Sequence, residues 1–306
     1  MNDKTVFGIC ADAHPEIMHD VEERVGVFLD DMRRRDVDFI IHLGDFCCAY
    51  SKNPTLARIW NAFPKPHYHT LGNHEMQGGY SQEQARLFLE EMPSRYYSFD
   101  HGGIHFVVLD ANDARTDKPP KDPDFPSFIG KEQFEWLAAD LAETSLKCVL
   151  FAHQSLLDDR DVENSDALRG LFREINESAG FRKIAAHFCG HYHTDSHKVV
   201  DDIHLIELNS MSNYWMGPGF ERIRYGKELD ATHPWIKYTA PYKDPLYAVV
   251  TIDSDEMRIE GIESEFVGPS PRELGFSHPH ADPDAIAPRI SSRILKFRNP
   301  YPKQQF

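Results

Sequence analysis

The sequence predicts a mixed α/β fold, and three observations carry that reading. Short apolar runs alternate with helix-period segments through the first two thirds of the chain. Two pairs of runs flank tight polar turns, at residues 100–103 and 253–256, and read as antiparallel hairpins. Strand–helix alternation combined with hairpins argues for mixed sheets over a purely parallel one.

The elements follow in order. Residues 5–11 form the first strand candidate. Residues 17–35 carry Val21, Val25, Phe28, Leu29 and Met32 at near-helical spacing and are predicted helical. A strand at 38–43, a short helix at 55–63 and a strand at 67–71 come next. Ser81, with Gln84 three residues on, marks the N-cap of a helix running to Glu91. Runs at 96–99 and 104–109 make the first hairpin. Helix 131–144, strand 148–152, helix 165–178, strand 184–189 and strands at 197–200 and 204–208 succeed it. Runs at 247–252 and 257–262 make the second hairpin. Residues 112–130 hold four prolines and read as a surface loop. The stretch at about 210–245 is rich in Tyr, Trp, Gly and Pro, and an insert this long is expected to be functional or disordered. One domain at 1–264 is therefore expected, with an extended tail at 265–306 packed on it.

Lys and Arg number 33 against 49 Asp and Glu, a formal net charge of −16. Such a field repels nucleic-acid polymers and anionic membrane surfaces. A small anionic substrate stays compatible if metal ions supply local positive charge. No run approaches 18 apolar residues, which excludes a membrane-spanning helix, and the N-terminus lacks a secretory pattern. The five cysteines (Cys10, Cys47, Cys48, Cys148 and Cys189) are odd in number and mostly lie in apolar runs. They read as buried free thiols of a reducing cytoplasm.

Metal-type side chains fall directly after the apolar runs. Asp12 and His14 follow the first, Asp45 the second, Asn73 and His74 the third; His153 follows 149–152, and His191 and His193 follow 188–190. In open α/β sheets the carboxyl ends of strands face one crevice, so these residues are expected to converge there. Nitrogen and oxygen donors without cysteine suit Zn, Mn or Fe. Two carboxylates, four histidines and an amide exceed one tetrahedral ion and suit two ions sharing a bridge, about 3.5–4 Å apart. Asp-x-His and His-x-His are expected to project both ligands from one side of an extended segment. Glycines at 44, 72 and 190 let the chain turn tightly before each ligand. His42, His69, His105 and His187 lie inside or beside strands and read as structural.

Asp12-Ala13-His14, Gly44-Asp45, Gly72-Asn73-His74-Glu75, His153 and Gly190-His191-Tyr192-His193 together resemble the motifs of the calcineurin-like metallophosphoesterase superfamily, in that family's order. The resemblance implies a sandwich of two mixed sheets flanked by helices. It implies that Asp12, His14 and His193 hold one metal, that Asn73, His153 and His191 hold the other, and that Asp45 bridges them. It gives His74 a place facing the scissile phosphate, and it implies attack by a metal-bridging hydroxide. The ions would be Mn, Fe or Zn. Phe46-Cys47-Cys48-Ala49-Tyr50 differs from the Gly-Asp-x-Val-Asp-Arg-Gly of protein Ser/Thr phosphatases. Cys48 stands where purple acid phosphatases carry an iron-binding tyrosine. The pattern is most similar to the bacterial cyclic-nucleotide and glycerophosphodiester phosphodiesterase branch.

In the insert, Tyr214, Trp215, Phe220, Tyr225, Trp235, Tyr238 and Tyr242 could stack a nucleobase, build a homo-oligomer interface or cap a sheet edge; the three stay open. Arg222 and Arg224 are candidates for holding a substrate phosphate beside Asn73 and His74, against the commoner reading as surface arginines. The expected activity is metal-dependent hydrolysis of a small phosphodiester, because the insert can cover a bulky leaving group. A phosphomonoesterase on the same site and an inactive scaffold of the same fold are the alternatives.

Overall fold

The computed structural model describes residues 4–47, 54–277 and 283–297. Cys48, Ala49 and Tyr50 lie outside them. Two six-stranded sheets form the frame. The first is ordered β14-β13-β12-β1-β2-β3, from β1 (Thr5–Cys10), β2 (Phe39–His42), β3 (His67–Tyr68), β12 (Ala248–Ile252), β13 (Glu256–Gly261) and β14 (Arg293–Lys296). Within it β1, β2 and β3 run parallel, while β12, β13 and β14 pair antiparallel. The second is ordered β4-β5-β6-β7-β9-β8, from β4 (Tyr97–His101), β5 (Ile104–Val108), β6 (Lys147–Phe151), β7 (Ile184–Cys189), β8 (Ser196–Val200) and β9 (Ile203–Glu207). Its four central strands are parallel and its edge strands antiparallel. Both sheets are mixed because the hairpins add their outer strands.

Period-two patterning explains how the layers pack. Along β1, Phe7 and Ile9 face the space between the sheets, where they meet Phe39, Phe106, Phe151 and Phe188. The Phe7 and Phe39 rings stack at 4.8 Å, and Phe106 and Phe151 stack at 5.9 Å. Each fully buried ring contributes about 1.5–3 kcal/mol. Cys10 and Ile40 face the other way, against α1 (Val21–Arg35) and α2 (Thr55–Asn61). On the second sheet, Cys148 and Leu150 meet α4 (Lys131–Glu143) and α5 (Ser165–Ala179). The result is four layers, helix–sheet–sheet–helix.

Several boundaries differ from the sequence reading. Helix α1 starts at Val21 and not at residue 17, since Ile17 and Met18 complete a turn whose amides bond to His14 O. Strand β3 is two residues long, because the chain turns away toward Asn73. Helix α3 (Gln82–Phe88) opens on Ser81 with the expected reciprocal cap but ends before Glu91. The insert carries a hairpin of β10 (Asn213–Trp215) and β11 (Thr239–Pro241) and a short helix, α6 (Lys227–Thr232). Part of the tail stretch is β14, an edge strand on β13.

Candidate metal centre

The parallel strands of both sheets end at one edge, and main-chain bonds tie those ends together. Asp12 N–H donates to Gly44 O, His14 N–H to Asp45 O, and Gly190 N–H to His153 O. Glycine is required here for two reasons. Gly44 has φ +96°, and a Cβ on Gly72 would run into the Asp45 carboxylate and backbone. A Cβ on Gly190 would meet the Asp12 carboxylate.

The donors themselves are not on extended backbone. Asp12, His14, Asp45, His191 and His193 have φ of 55°, 54°, 48°, 75° and 54°, which is five of the nine non-glycine residues with positive φ among those described. The Asp-x-His and His-x-His pairs therefore converge through left-handed turns, not through the pleat of a strand as the spacing suggested. Each such residue costs about 1–3 kcal/mol and persists only where its surroundings over-determine it.

Those surroundings are visible. His14 Nδ1–H donates to Glu16 Oε1 at 2.6 Å, His153 Nδ1–H to Leu43 O at 2.8 Å, and His193 Nδ1–H to Asn213 O at 2.8 Å. All three rings then turn Nε2 inward. His14 Nε2 and His193 Nε2 lie 2.9 Å apart. His153 Nε2 lies 3.1 Å from Asn73 Oδ1, 3.1 Å from Asp45 Oδ2 and 3.2 Å from His191 Nδ1. Asp45 Oδ1 accepts from the His74 N–H, which leaves Oδ2 facing both His153 and, at 3.8 Å, His14 Nε2.

Two groups result, in each of which every residue offers a ligand atom within 4.8 Å of the others: Asp12, His14 and His193, and Asp45, His153 and His191. His14, Asp45 and His74 form a third such grouping. All seven residues read as donors thus come together, with His74 at their rim.

With their Nδ1 atoms engaged as donors, neutral His14, His153 and His193 present only lone pairs to the centre. Carboxylate and amide oxygens crowd the same space. Cations or extra protons must answer that surplus of acceptors. Burial opposes a charge on His153, but Asp45 and Asp12 outweigh it and raise the ring to about 10. Burial likewise opposes ionisation of Asp12 and Asp45, yet the imidazoles hold both carboxyls below their usual range. Burial and the neighbouring His153 push His191 down to about 3, so it stays neutral.

Four acidic groups escaped the sequence reading or were given no role there. Glu16 binds His14 and lies 3.2 Å from His74 Nδ1. Glu75, inside a quoted motif, accepts from the backbone N–H of Asp45, Phe46, Cys47 and Gly72 at 2.6–3.0 Å and so closes the turn that presents Asp45. Asp161 accepts from Ser155 N–H, and its Oδ1 lies 3.7 Å from His191 Nε2. Asp110 follows an apolar run as the donors do, but Arg95 and Asn112 hold it at 2.6 and 2.7 Å. The start of the insert also serves the site, since Ser210 Oγ–H and Ser212 Oγ–H donate to Asp12 O and Ala13 O.

The surrounding loops fall into place less predictably. The 112–130 stretch reaches the site, with Phe125 stacked on His74 at 5.5 Å. Arg224 Nη1 donates to Val267 O and Pro269 O, and Arg222 is exposed. Tyr214 and Tyr242 are buried in the core, whereas Trp215 and Trp235 are exposed. His42 and His69 pair at 2.7 Å in the interior, and His187 Nε2 accepts from Leu156 N–H.

A family model described as calcineurin-like phosphoesterase matches residues 5–195. Purple acid phosphatase 21 of Arabidopsis thaliana is 26% identical over 192 residues, covering 54% of this chain and 40% of that protein. The chain thus spans less than half the length of that curated relative. A dimetal phosphatase from Danio rerio superposes with a TM-score of 0.59 at 15% identity, over 87% of this chain and 99% of the other. GAP50, the anchor in the inner membrane complex of Plasmodium, superposes with a TM-score of 0.53 at 12% identity, over 96% and 89%. One fold serves a phosphatase and an anchor, so activity has to be argued from the site.

Proposed function

Because the chain belongs to the calcineurin-like phosphoesterase family, we propose that it hydrolyses phosphoric ester bonds and that its substrate is a small phosphodiester. In this reading Asp12, His14 and His193 would hold one ion, Asn73, His153 and His191 would hold the second, and Asp45 would be shared between them. The observation that carries it is the pair of inward Nε2 atoms of His14 and His193 at 2.9 Å, both with Nδ1 committed elsewhere. The donor chemistry fits Mn, Zn or Fe. Two such ions, when bound, polarise a phosphoryl oxygen and lower the pKa of water toward neutrality.

The chain's own groups do the rest. Glu75 holds the Asp45 turn, and Glu16 fixes the His14 ring. His74 stands at the rim, its Nε2 3.9 Å from Asp45 Oδ2. Burial opposes its protonation, but Asp45 and Glu16 raise it to about 9, so the ring carries a proton at neutral pH. Water adds to phosphorus and sheds one proton to solvent as the bond to the leaving oxygen breaks, and His74 supplies the proton that oxygen takes up and recovers its own from solvent. Asn73 and His74 contact the phosphoryl group from the protein side.

The free, buried thiols of Cys10, Cys47, Cys148 and Cys189 support a reducing, cytoplasmic location. Among the described residues no helix is long and apolar enough to cross a membrane.

The test loads the chain with Mn or Zn and compares turnover of bis-p-nitrophenyl phosphate and p-nitrophenyl phosphate. The diester is expected to be preferred. A clear monoester preference selects the phosphomonoesterase reading. Metal content well below about two ions per chain, with neither ester cleaved, points to a scaffold.

A further inference from the structure

Two clefts border the metal centre, and they differ in chemistry. The larger, about 730 Å³, is walled by Glu16, Asp20, Glu22 and Glu23 together with His19 and His233, and has no Phe, Tyr or Trp among its described lining residues. The second, about 560 Å³, opens beside Asn73 between residues 76–82 and 123–126. Its size suits a small organic group. Met76, Tyr80, Phe125 and Pro126 make its apolar surface, and the neutral amides that line it are engaged, Asn112 with Asp110 and Gln154, and Gln77 with His74. Among the described lining residues there is no lysine, arginine or histidine, and Asp124, at the exposed edge, is the one charged group.

The second cleft is continuous with the chemistry. Asn73 lines it while its Oδ1 lies 3.1 Å from His153 Nε2. Phe125 lines it while its ring stacks on His74, with 21° between the planes. A group attached to a phosphorus atom held at the cluster therefore has a direct way in past His74. The acidic cleft repels any part of an anionic ester, and the cleft beside Asn73 offers ring faces instead. A second phosphate or a carboxylate carried past His74 into the cleft would lose hydration, meet Asp124 and find no positive partner among the described lining residues.

We propose that the cleft formed by Met76, Tyr80, Asn112, Phe125 and Pro126 receives the leaving group, and that the enzyme selects phosphoesters whose leaving group is uncharged and flat. This deepens the phosphoester reading and rests on it. Tyr80 and Phe125 are the specificity-determining residues, through ring contact. Substrates with a second anionic group on the leaving side, such as nucleoside diphosphates or phosphorylated sugars, are disfavoured.

The test separates the pocket from the hydrolase. Calorimetric binding to the metal-loaded full chain is measured for three non-hydrolysable probes: (2-naphthylmethyl)phosphonic acid, its 6-carboxy derivative and its 6-trimethylammonio derivative. Turnover of the corresponding naphthyl phosphate esters is measured alongside. The neutral probe is expected to bind about tenfold more tightly than the carboxylated one, and Tyr80→Ala or Phe125→Ala to weaken it about fivefold or more while metal content stays at the wild-type level. Equal affinities in the wild type, tightest binding of the ammonium probe, or no change in both variants overturns the pocket assignment. Hydrolysis without leaving-group preference contradicts the pocket and keeps the hydrolase. Selective binding with no ester cleaved contradicts the hydrolase and keeps the pocket.

Discussion

The floor of the site and the wall beside it are held by different means. On the floor, Asp12, Asp45, His153 and His191 leave strand ends, and hydrogen bonds from neighbouring segments fix them. Leu43 O takes the far side of His153, Asn213 O that of His193, and Glu75 gathers four amides under Asp45. Five donors are locked in left-handed backbone. On the wall, Tyr80 and Phe125 sit on loops. Gly78 and Gly79 turn one of these loops at φ 80° and 84°, and a Cβ on Gly79 would meet open space. The difference teaches a division of labour. Groups assigned to the chemistry in the proposed function are over-determined, and groups assigned to the leaving side can change without unseating them.

The largest expected effect comes from the centre of the floor. Asp45→Asn should lower kcat/KM by on the order of a thousandfold and deplete both ions, because Oδ2 faces both donor groups. Elemental analysis and steady-state kinetics read this together. Loss of one ion alone would break the idea of a shared oxygen. At the boundary between floor and wall, His74→Ala should cut kcat by about a hundredfold or more with metal content unchanged. Metal loss there would move His74 into the donor set, where its grouping with His14 and Asp45 would put it.

Smaller effects probe the bracing. Glu75→Gln replaces a four-amide acceptor with a group that carries its own donors. It should destabilise the chain by about 2–3 kcal/mol in denaturant unfolding. An unchanged midpoint would mean that the Asp45 turn holds itself. Ser212→Ala removes one buried bond to Ala13 O at 2.8 Å. It should cost about 1 kcal/mol, read as a fall of about 2–4 °C in Tm.

How much of this the amino-acid sequence discloses follows the same division. Asp12, Asp45, His153 and His191 are legible because each ends an apolar run, and two of the four, Asp45 and His191, directly follow a glycine. The sheets are legible because short apolar runs, such as residues 5–11 and 38–43, alternate with helix-period segments and pair up around polar turns. Glu16 and Asp161 carry no such mark. Their work is to orient His14 and to face His191, contacts that depend on turns closing in three dimensions. The left-handed backbone at Asp12 and His14 was invisible for a related reason. Spacing alone predicts a pleat, and only the bonds to Gly44 O and Asp45 O show the turn. Phe125 was assigned to a surface loop because prolines set no period that could bring it over His74. Strand β14 lies in a Pro-rich stretch whose pairing with β13 is a long-range choice.

Anomalous diffraction at the metal absorption edge, on crystals of the Mn- or Zn-loaded chain, tests the account most directly. Two peaks about 3.5–4 Å apart are expected. One should lie against Asp12, His14 and His193, the other against Asn73, His153 and His191, with Asp45 Oδ2 touching both. A single peak, or peaks that leave Asp45 without contact, would contradict it.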